Sequence, residues 1–410
     1  MTASSDTPAP QRSVTIIALV GSAHFASHVM QLAVPPLFPL LHDIFGASYV
    51  ELGMIVTLFY ATSGLGQAAA GLFVDRFGAM RILIAGLTLM ALSIATMGLV
   101  GDYRMLLPLA VVAGLGNSVF HPADLSILSH RVSERMLGRA FAAHGLTGSL
   151  GYATAPVLVG TIAAFFSWRA ALIAVGSFGL CIAALLYVNR ALIDYRRTAP
   201  AQMRAGARRY GYLETITTPV VLLAFAYFVI TAYGGTGIQT FSVAALGAGY
   251  GVKFETATLA LTCYLVASAG GTILGGFLAD RTTQHHRVAM SGLGLSAGLM
   301  LTIVMLPAGS VLPLVALTLA GLANGTTGPS RDVIVRRAAA GAGTGSVFGF
   351  VYSGGDFGGA TAPLLFGVLG DSGAWRAVFL VCALAYAAAV PTVMQVGRRG
   401  AARAAAAAGD

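Results

Sequence analysis

The residues that could carry chemistry in this chain are polar and ionisable side chains inside long apolar segments. Two triplets recur at positions i, i+4 and i+7: His24, His28 and Gln31, and Asn117, His121 and Asp124. This spacing places the members of a triplet on one face of a helix. Ionisable groups at membrane depth cost at least a few kcal/mol and face a bundle interior or a water-filled cavity. We therefore expect both triplets to face a polar interior.

Further polar residues lie in other apolar segments, and they allow several kinds of chemistry. They are Thr236, Gln239, Asn324, Arg331, Tyr352, Asp356, His144 and Tyr152. An arginine fork can hold a carboxylate or phosphonate through two hydrogen bonds. A carboxylate at low dielectric can be protonated near neutral pH and histidine titrates in the same range, so both can carry protons. Imidazole and carboxylate also suit divalent metals.

The composition indicates a membrane protein. Of the 410 residues 57% are hydrophobic and 10% are charged, whereas soluble proteins carry roughly 25% charged residues. The net charge of +9 does not indicate nucleic-acid binding, because the arginines form short clusters between long apolar runs. The three cysteines lie far apart and form neither a disulfide framework nor a metal motif.

The apolar segments predict an all-α membrane protein with twelve transmembrane helices, since about 20 apolar residues span a bilayer. The predicted spans are 14–41, 50–74, 81–101, 105–130, 139–164, 169–191, 217–246, 254–279, 287–306, 311–335, 344–369 and 375–396. Arginines concentrate in the loops on one side of these spans. The positive-inside rule therefore predicts an inner-membrane protein with both termini cytoplasmic.

An internal repeat at an offset of about 207 residues predicts two halves of six helices. Ala113–Asn117 matches Ala320–Asn324, and Ala153–Pro156 matches Ala360–Pro363. An even number of spans gives both halves the same orientation, which makes a parallel repeat. The predicted organisation is tail 1–13, bundle 14–191, cytoplasmic linker 192–216, bundle 217–397 and tail 398–410. The repeat also predicts that Asp124 faces Arg331, with Asp332 pointing elsewhere.

Two sets of motifs carry a family resemblance. A Gly-x-x-x-Asp-Arg turn follows span two at Gly71–Arg76, and an echo follows span eight at Gly276–Arg281. With twelve spans and a long central loop, the chain resembles the major facilitator superfamily. The stretches around His24 to Gln31 and from Gly116 to Pro122 are similar to the fosmidomycin-resistance-like branch of bacterial drug exporters. Ala79 and Met80 depart from the usual turn, and His28 stands where an acidic residue is usual.

The resemblance implies a central cavity lined by spans one, four, seven and ten, and it assigns expected roles. The expected substrate-binding residues are His24, His28, Gln31, Asn117, His121, Gln239, Asn324, Arg331 and Tyr352. The expected proton-coupling residues are Asp124, His28 and Asp356. The expected gating residues are Asp75, Arg76, Arg81, Arg131, Asp280 and Arg281, with Arg131 a candidate partner of Asp75.

The expected function is proton-coupled efflux of a small anionic or amphiphilic compound by alternating access. The alternatives are uptake of an organic anion with protons, export of a divalent transition metal through His24, His28, His121 and Asp124, and a membrane receptor or scaffold without transport. We expect no enzymatic activity, no cofactor and no resident metal. The expected partners are the small-molecule substrate, protons and the lipid bilayer, and the protein is expected to be monomeric.

Overall fold

The computed structural model describes residues 10–195, 217–338 and 344–409, and within these ranges the regular elements are helices. The helices of the first half are α1 (Pro10–Gln31), α2 (Phe38–Phe45), α3 (Tyr49–Phe77), α4 (Ala79–Met97), α5 (Leu106–Asn117), α6 (Phe120–Arg131), α7 (Leu137–Phe165), α8 (Trp168–Val188) and α9 (Arg190–Ile193). The helices of the second half are α10 (Pro219–Tyr250), α11 (Phe254–Asp280), α12 (His285–Met305), α13 (Leu312–Gly325), α14 (Thr327–Ala338), α15 (Thr344–Asp371) and α16 (Trp375–Gly409).

Every predicted span coincides with one of these helices or with a consecutive pair. In the described part of the chain, nine helical segments are long and apolar enough to cross a membrane. α3, which bends by 55° near residue 68, is a tenth. The remaining two spans correspond to the pair α13 and α14 and to α15. The predicted all-α, twelve-span fold class is confirmed.

The chain forms two compact units. Unit 1 comprises Met1–Leu37 and Ala61–Ala201, and unit 2 comprises Phe38–Tyr60 and Gln202–Asp410. The predicted division into tails, bundles and linker stays a prediction, and 196–216 of the linker lie outside the described residues. The alanine-rich C-terminal tail is helical to Gly409, as the high helix propensity of alanine favours.

Spans four and ten are both broken near the middle, and the repeated prolines account for it. α5 ends at Asn117 and α6 begins at Phe120, while α13 ends at Gly325 and α14 begins at Thr327. Pro122 and Pro329 each stand third in the new helix. A proline has no N–H group, so it is tolerated in a first turn and disruptive in a helix interior. Sequence spacing across the break therefore does not define a continuous face.

The turn between α3 and α4 depends on a glycine. Gly78 has φ +91°, a conformation that favours glycine because it has no Cβ. Its N–H donates to the Val74 carbonyl, and its own carbonyl accepts the N–H of Ile82. Asp75 and Arg76 thus lie in the last turn of α3, and Gly78 alone joins α3 to α4.

The start of α3, which lies in unit 2, has partners for all of its first N–H groups. Ser48 and Glu51 form a capping box, with Ser48 N–H donating to Glu51 Oε2 at 2.8 Å and Glu51 N–H to Ser48 Oγ at 3.2 Å. Asp371, at the end of α15, accepts the N–H groups of Tyr49 and Val50 at 2.6 and 3.1 Å. A carboxylate at a helix start also interacts favourably with the helix dipole.

Replacing Asp371 with alanine is expected to destabilise the protein, because two N–H groups at the start of α3 lose their acceptor. The expected loss is about 1 to 2 kcal/mol of the free energy of unfolding. It is measured as a lower melting temperature of the purified protein in detergent. The matched control is Ser372→Ala, since that exposed hydroxyl, just past the end of α15, donates to the carbonyl of Leu369. Equal melting temperatures for Asp371→Ala and the wild type would contradict this account of the cap.

Candidate functional site

α1 and α7 approach each other closely in unit 1, and glycines on α7 permit the contact. A Cβ added at Gly148 would lie 2.8 Å from His24 Nε2 and 3.1 Å from His28 Cε1. A Cβ at Gly151 would collide with the Phe25 carbonyl oxygen. Small residues of this kind let membrane helices pack backbone to backbone. The contact brings the polar face of α1 against α7.

Four histidines and one aspartate meet at this contact, and we call them the histidine–aspartate cluster: His24, His28, His121, Asp124 and His144. Asp124 is completely buried. His144 Nε2 is hydrogen-bonded to Asp124 Oδ2 at 3.1 Å. His24 Nδ1 lies 3.3 Å from the same oxygen. One carboxylate oxygen is therefore hydrogen-bonded to one buried imidazole and lies close to a second.

The histidine rings of the cluster pack on one another. His24 stacks on His144 with ring centroids 3.6 Å apart, and His28 lies 4.4 Å from His24. The ring of His121 lies edge-on to His24 at 5.5 Å. His121 is exposed, whereas His24 and His144 are buried. The cluster is thus closed on most sides and accessible through His121.

Charge and hydrogen bonding both favour a cation in the cluster. With neutral imidazoles and an ionised Asp124, it carries one buried negative charge, which is costly unless it is compensated. Among the described residues, Asp124 Oδ1, His24 Nδ1 and His28 Nδ1 are buried without a hydrogen-bond partner. Buried polar atoms of this kind are rare in folded proteins. The arrangement can hold a proton or a metal ion.

The predicted residue Gln31 joins the cluster through Tyr152 of α7. The Tyr152 hydroxyl donates to Gln31 Oε1 at 2.6 Å. The Tyr152 ring lies against His28 with centroids 4.2 Å apart. The first predicted triplet is therefore part of one polar region with Asp124 and His121.

Asn117 is separated from this region by the break between α5 and α6. Its side-chain amide donates to Ser63 Oγ of α3 at 2.8 Å. In unit 2, Asn324 Nδ2 similarly lies 3.4 Å from the hydroxyl of Tyr264 on α11. The repeated asparagines thus contact neighbouring helices at equivalent places.

A second polar group lies in unit 2 around Arg331. Arg331 Nε donates to Asp332 Oδ1 at 2.9 Å, and the Tyr352 hydroxyl donates to the same oxygen at 2.8 Å. The guanidinium carbon lies 4.9 Å above the Phe228 ring and 5.9 Å from the Tyr352 ring centroid, within the range of cation–π attraction. The prediction that Asp332 points elsewhere is wrong, because its carboxylate reaches back to Arg331.

Two further predicted residues lie on helices of unit 2. Gln239 on α10 and Asp356 on α15 are half-buried. Asp124 contacts histidines and Arg331 contacts Asp332, so the predicted facing of Asp124 and Arg331 stays a prediction.

The predicted gating residues lie at helix ends. The exposed ones are Asp75, Arg76, Arg81, Asp280 and Arg281. Arg131, at the end of α6, donates to the carbonyls of Leu192 and Ala191 at 2.9 and 3.3 Å. This contact ties α6 to α9, and the pairing of Arg131 with Asp75 stays a prediction.

His144 and Tyr152 are site residues to which the sequence analysis assigned no role. The available signal was the spacing of small residues on α7. Gly148 and Gly151 follow His144 at i+4 and i+7, so they lie on the same helix face. A close helix contact on that face would have placed His144 at the interface.

Replacing Gly151 with alanine is expected to destabilise unit 1, because the methyl group forces the α7 backbone away from Phe25. The expected cost is about 1 to 3 kcal/mol, as for other overpacked sites. Gly145→Ala is the matched control, since its Cβ would meet nothing within 4 Å and alanine favours a helix by up to about 1 kcal/mol. Melting temperatures of the two purified variants test this. A Gly151→Ala protein as stable as Gly145→Ala would contradict the close contact.

Comparison with known proteins identifies the family to which this chain belongs. The family model of the Major Facilitator Superfamily matches residues 20–241 and 223–408. The chain is 24% identical over 300 residues to the fosmidomycin resistance protein of Escherichia coli K12, covering 72% of each chain. It is 23% identical over 349 residues to the cis,cis-muconate transport protein of Acinetobacter baylyi, covering 83% of this chain and 84% of the relative.

The fold is similar to that of a solved transporter. A bacterial homologue of the human lysosomal transporter Spinster, in an inward-facing and occupied conformation, superposes with a TM-score of 0.73 at 16% identity. The match covers 98% of this chain and 97% of that one. The resemblance to the superfamily and its fosmidomycin-resistance-like branch is confirmed. This chain therefore belongs to the major facilitator superfamily, as a multi-pass bacterial inner-membrane secondary transporter that moves small molecules by alternating access and is not an enzyme.

Proposed function

We propose that this transporter couples the movement of its substrate to protons and exports a small anionic or amphiphilic compound. The observation that carries the proposal is the buried Asp124 carboxylate, whose Oδ2 is shared by His144 and His24 at 3.1 and 3.3 Å. Both termini are cytoplasmic in this proposal, since the arginine clusters lie on that side, and the protein works as a monomer.

The histidine–aspartate cluster supplies what a proton site needs. Asp124 is neutral when it binds a proton and negative when it releases one, and the adjacent imidazoles stabilise either state by hydrogen bonding. His121 is exposed and 5.5 Å from His24 by ring centroid, so in this proposal it is the outer end of the proton path to the buried carboxylate. Loading and release of one proton changes the charge of a buried site, and alternating access responds to that charge. His28 and Asp356 are additional proton carriers in this proposal.

Arg331 serves as the anchor for an anionic substrate. Asp332 accepts from Nε and the rings of Phe228 and Tyr352 lie against the guanidinium. Together they hold the plane of the guanidinium. The edge formed by the two Nη atoms can then present paired donors to a carboxylate or phosphonate. The side chain of Arg331 is 31% exposed, so a substrate can reach it. Gln239 and Asn324 are further proposed substrate contacts in unit 2, and His121 is a proposed substrate contact in unit 1.

The relatives support an anionic substrate and favour export. One relative is named for fosmidomycin resistance and another for transport of cis,cis-muconate. Resistance favours export, whereas uptake of an organic anion together with protons is the competing function. The Asp–Arg turns with Asp75, Arg76, Arg81, Asp280 and Arg281, together with Arg131, act as gates in both cases.

Transport into proteoliposomes under an imposed pH gradient tests the proposal. A thermal-shift screen of the purified protein against organic acids, phosphonates and drugs first identifies a substrate, because a ligand stabilises the fold it binds. We expect the substrate to accumulate on the side with the higher proton concentration, as exchange for protons requires. Accumulation on the opposite side would support uptake with protons instead. Transport that does not depend on the pH gradient would overturn the proposal.

A further inference from the structure

We infer that the histidine–aspartate cluster binds a divalent transition-metal ion through His24, His121, His144 and Asp124. One nitrogen from each of the three histidines lies within 4.8 Å of the others. The inference shares Asp124 with the proposed proton site, but it concerns equilibrium binding and does not depend on proton coupling.

The ligand atoms lie close enough to hold a tetrahedral ion once their side chains rearrange. A metal–nitrogen bond of about 2.0 to 2.1 Å implies ligand atoms roughly 3.3 Å apart around a tetrahedral centre. The nitrogens His24 Nδ1 and His144 Nε2 already lie 3.3 and 3.1 Å from Asp124 Oδ2. The histidine nitrogens, at up to 4.8 Å, need to close by up to about 1.5 Å. The stacked rings of His24 and His144 also need to rotate, so that one nitrogen of each points at the ion.

The ligand types select the class of ion. Imidazole suits zinc, nickel, copper and other late transition metals, while magnesium and calcium prefer oxygen ligands and water. Three neutral imidazoles and one carboxylate offset part of the charge of a divalent ion. Asp124 Oδ1 and His24 Nδ1 are buried without hydrogen-bond partners among the described residues, so both atoms are available to a ligand.

The difference in exposure among the four ligands indicates an entry route for the ion. Asp124, His24 and His144 are buried, while His121 is exposed at the edge of the cluster. We therefore expect an arriving ion to meet His121 before the three buried ligands. His144 replaces His28 of the set considered from the sequence, because His144 contacts Asp124 directly. His28 packs behind His24 at 4.4 Å.

Titration of the purified full chain with metal ions tests the inference. A polyhistidine tag must be removed first, because it binds the same ions. Zn²⁺ heat of binding and Co²⁺ visible absorption are measured on the wild type, with Mg²⁺ as the hard-ion control. We expect one Zn²⁺ or Co²⁺ per chain, a Co²⁺ spectrum of tetrahedral type and no Mg²⁺ binding at this site.

Variants locate the ion. His121→Ala removes an exposed ligand and is expected to fold normally, and Asp124→Asn keeps the size of the buried side chain. Each is expected to weaken Zn²⁺ binding at least roughly tenfold. His130→Ala is the matched control, because His130 is exposed in unit 1 and stacks on Tyr195 away from the cluster. Absence of Zn²⁺ binding, or equal loss in His130→Ala, would overturn the inference. If the wild type binds Zn²⁺ but its substrate transport does not depend on the pH gradient, only the proposal of proton coupling would be overturned.

Discussion

Replacing Asp124 with asparagine is expected to abolish transport driven by a pH gradient, down to the level of protein-free liposomes. The asparagine side chain has nearly the same size and can still hydrogen-bond His144, so we expect the packing of α1, α6 and α7 to be kept. It cannot take up or release a proton, so the cycle loses the step at which the buried charge changes. Substrate counterflow, which exchanges substrate without net proton movement, is expected to continue.

Gradient-driven transport and counterflow, measured on the same variant, separate proton coupling from substrate binding. The matched control is Asp102→Asn, because Asp102 is exposed and accepts the N–H of Arg104 at a helix start. Asparagine caps helices as well as aspartate does. The control is expected to keep gradient-driven transport. Normal gradient-driven transport by Asp124→Asn would exclude Asp124 as the coupling residue, and loss of counterflow as well would indicate a role in substrate binding.

Replacing Arg331 with lysine is expected to weaken binding of an anionic substrate at least roughly tenfold, because an ammonium group offers no paired donors in a plane. Lysine also loses the planar contact with the Phe228 and Tyr352 rings. The positive charge and the approximate length are kept. The result therefore reports the geometry of the guanidinium and not only its charge.

Dissociation constants from thermal shift or calorimetry measure this effect. Arg104→Lys is the matched control, since Arg104 is an exposed arginine in unit 1, where it is remote in sequence from α14. Binding of a neutral ligand, if the screen finds one, is expected to change little in Arg331→Lys. Full affinity for the anionic substrate in Arg331→Lys would refute the proposed anchor.

The fold was largely predictable from the sequence because the bilayer imposes strong constraints on composition. Long apolar runs gave the helices, and the matching positions of Pro122 and Pro329 marked the repeated break in spans four and ten. The extension of α16 to Gly409 was not predicted, because an alanine-rich tail beyond the bilayer resembles a loose segment in composition. The cap of α3 by Asp371 was not predicted either, since 322 residues separate Asp371 from Tyr49.

The site was predictable only in part. Helical spacing correctly grouped His24, His28 and Gln31, because all three lie on the uninterrupted helix α1. Helical spacing wrongly grouped Asn117 with His121 and Asp124, because the helix is interrupted between Asn117 and Phe120. The role of His144 depends on how closely α1 and α7 approach, and the contact of Asp332 with Arg331 depends on side-chain rotation. Neither is determined by spacing along one helix.

The most direct test of the proton site is to measure proton movement during substrate transport. A pH-sensitive dye is enclosed in proteoliposomes that contain the wild type or Asp124→Asn, and a substrate from the screen is added outside. For the wild type, we predict a change of internal pH that accompanies substrate entry and has the sign of proton–substrate exchange. Proteoliposomes with Asp124→Asn that are preloaded with unlabelled substrate are predicted to exchange substrate without any pH change. Equal pH changes in both proteins, or wild-type transport without proton movement, would contradict the account.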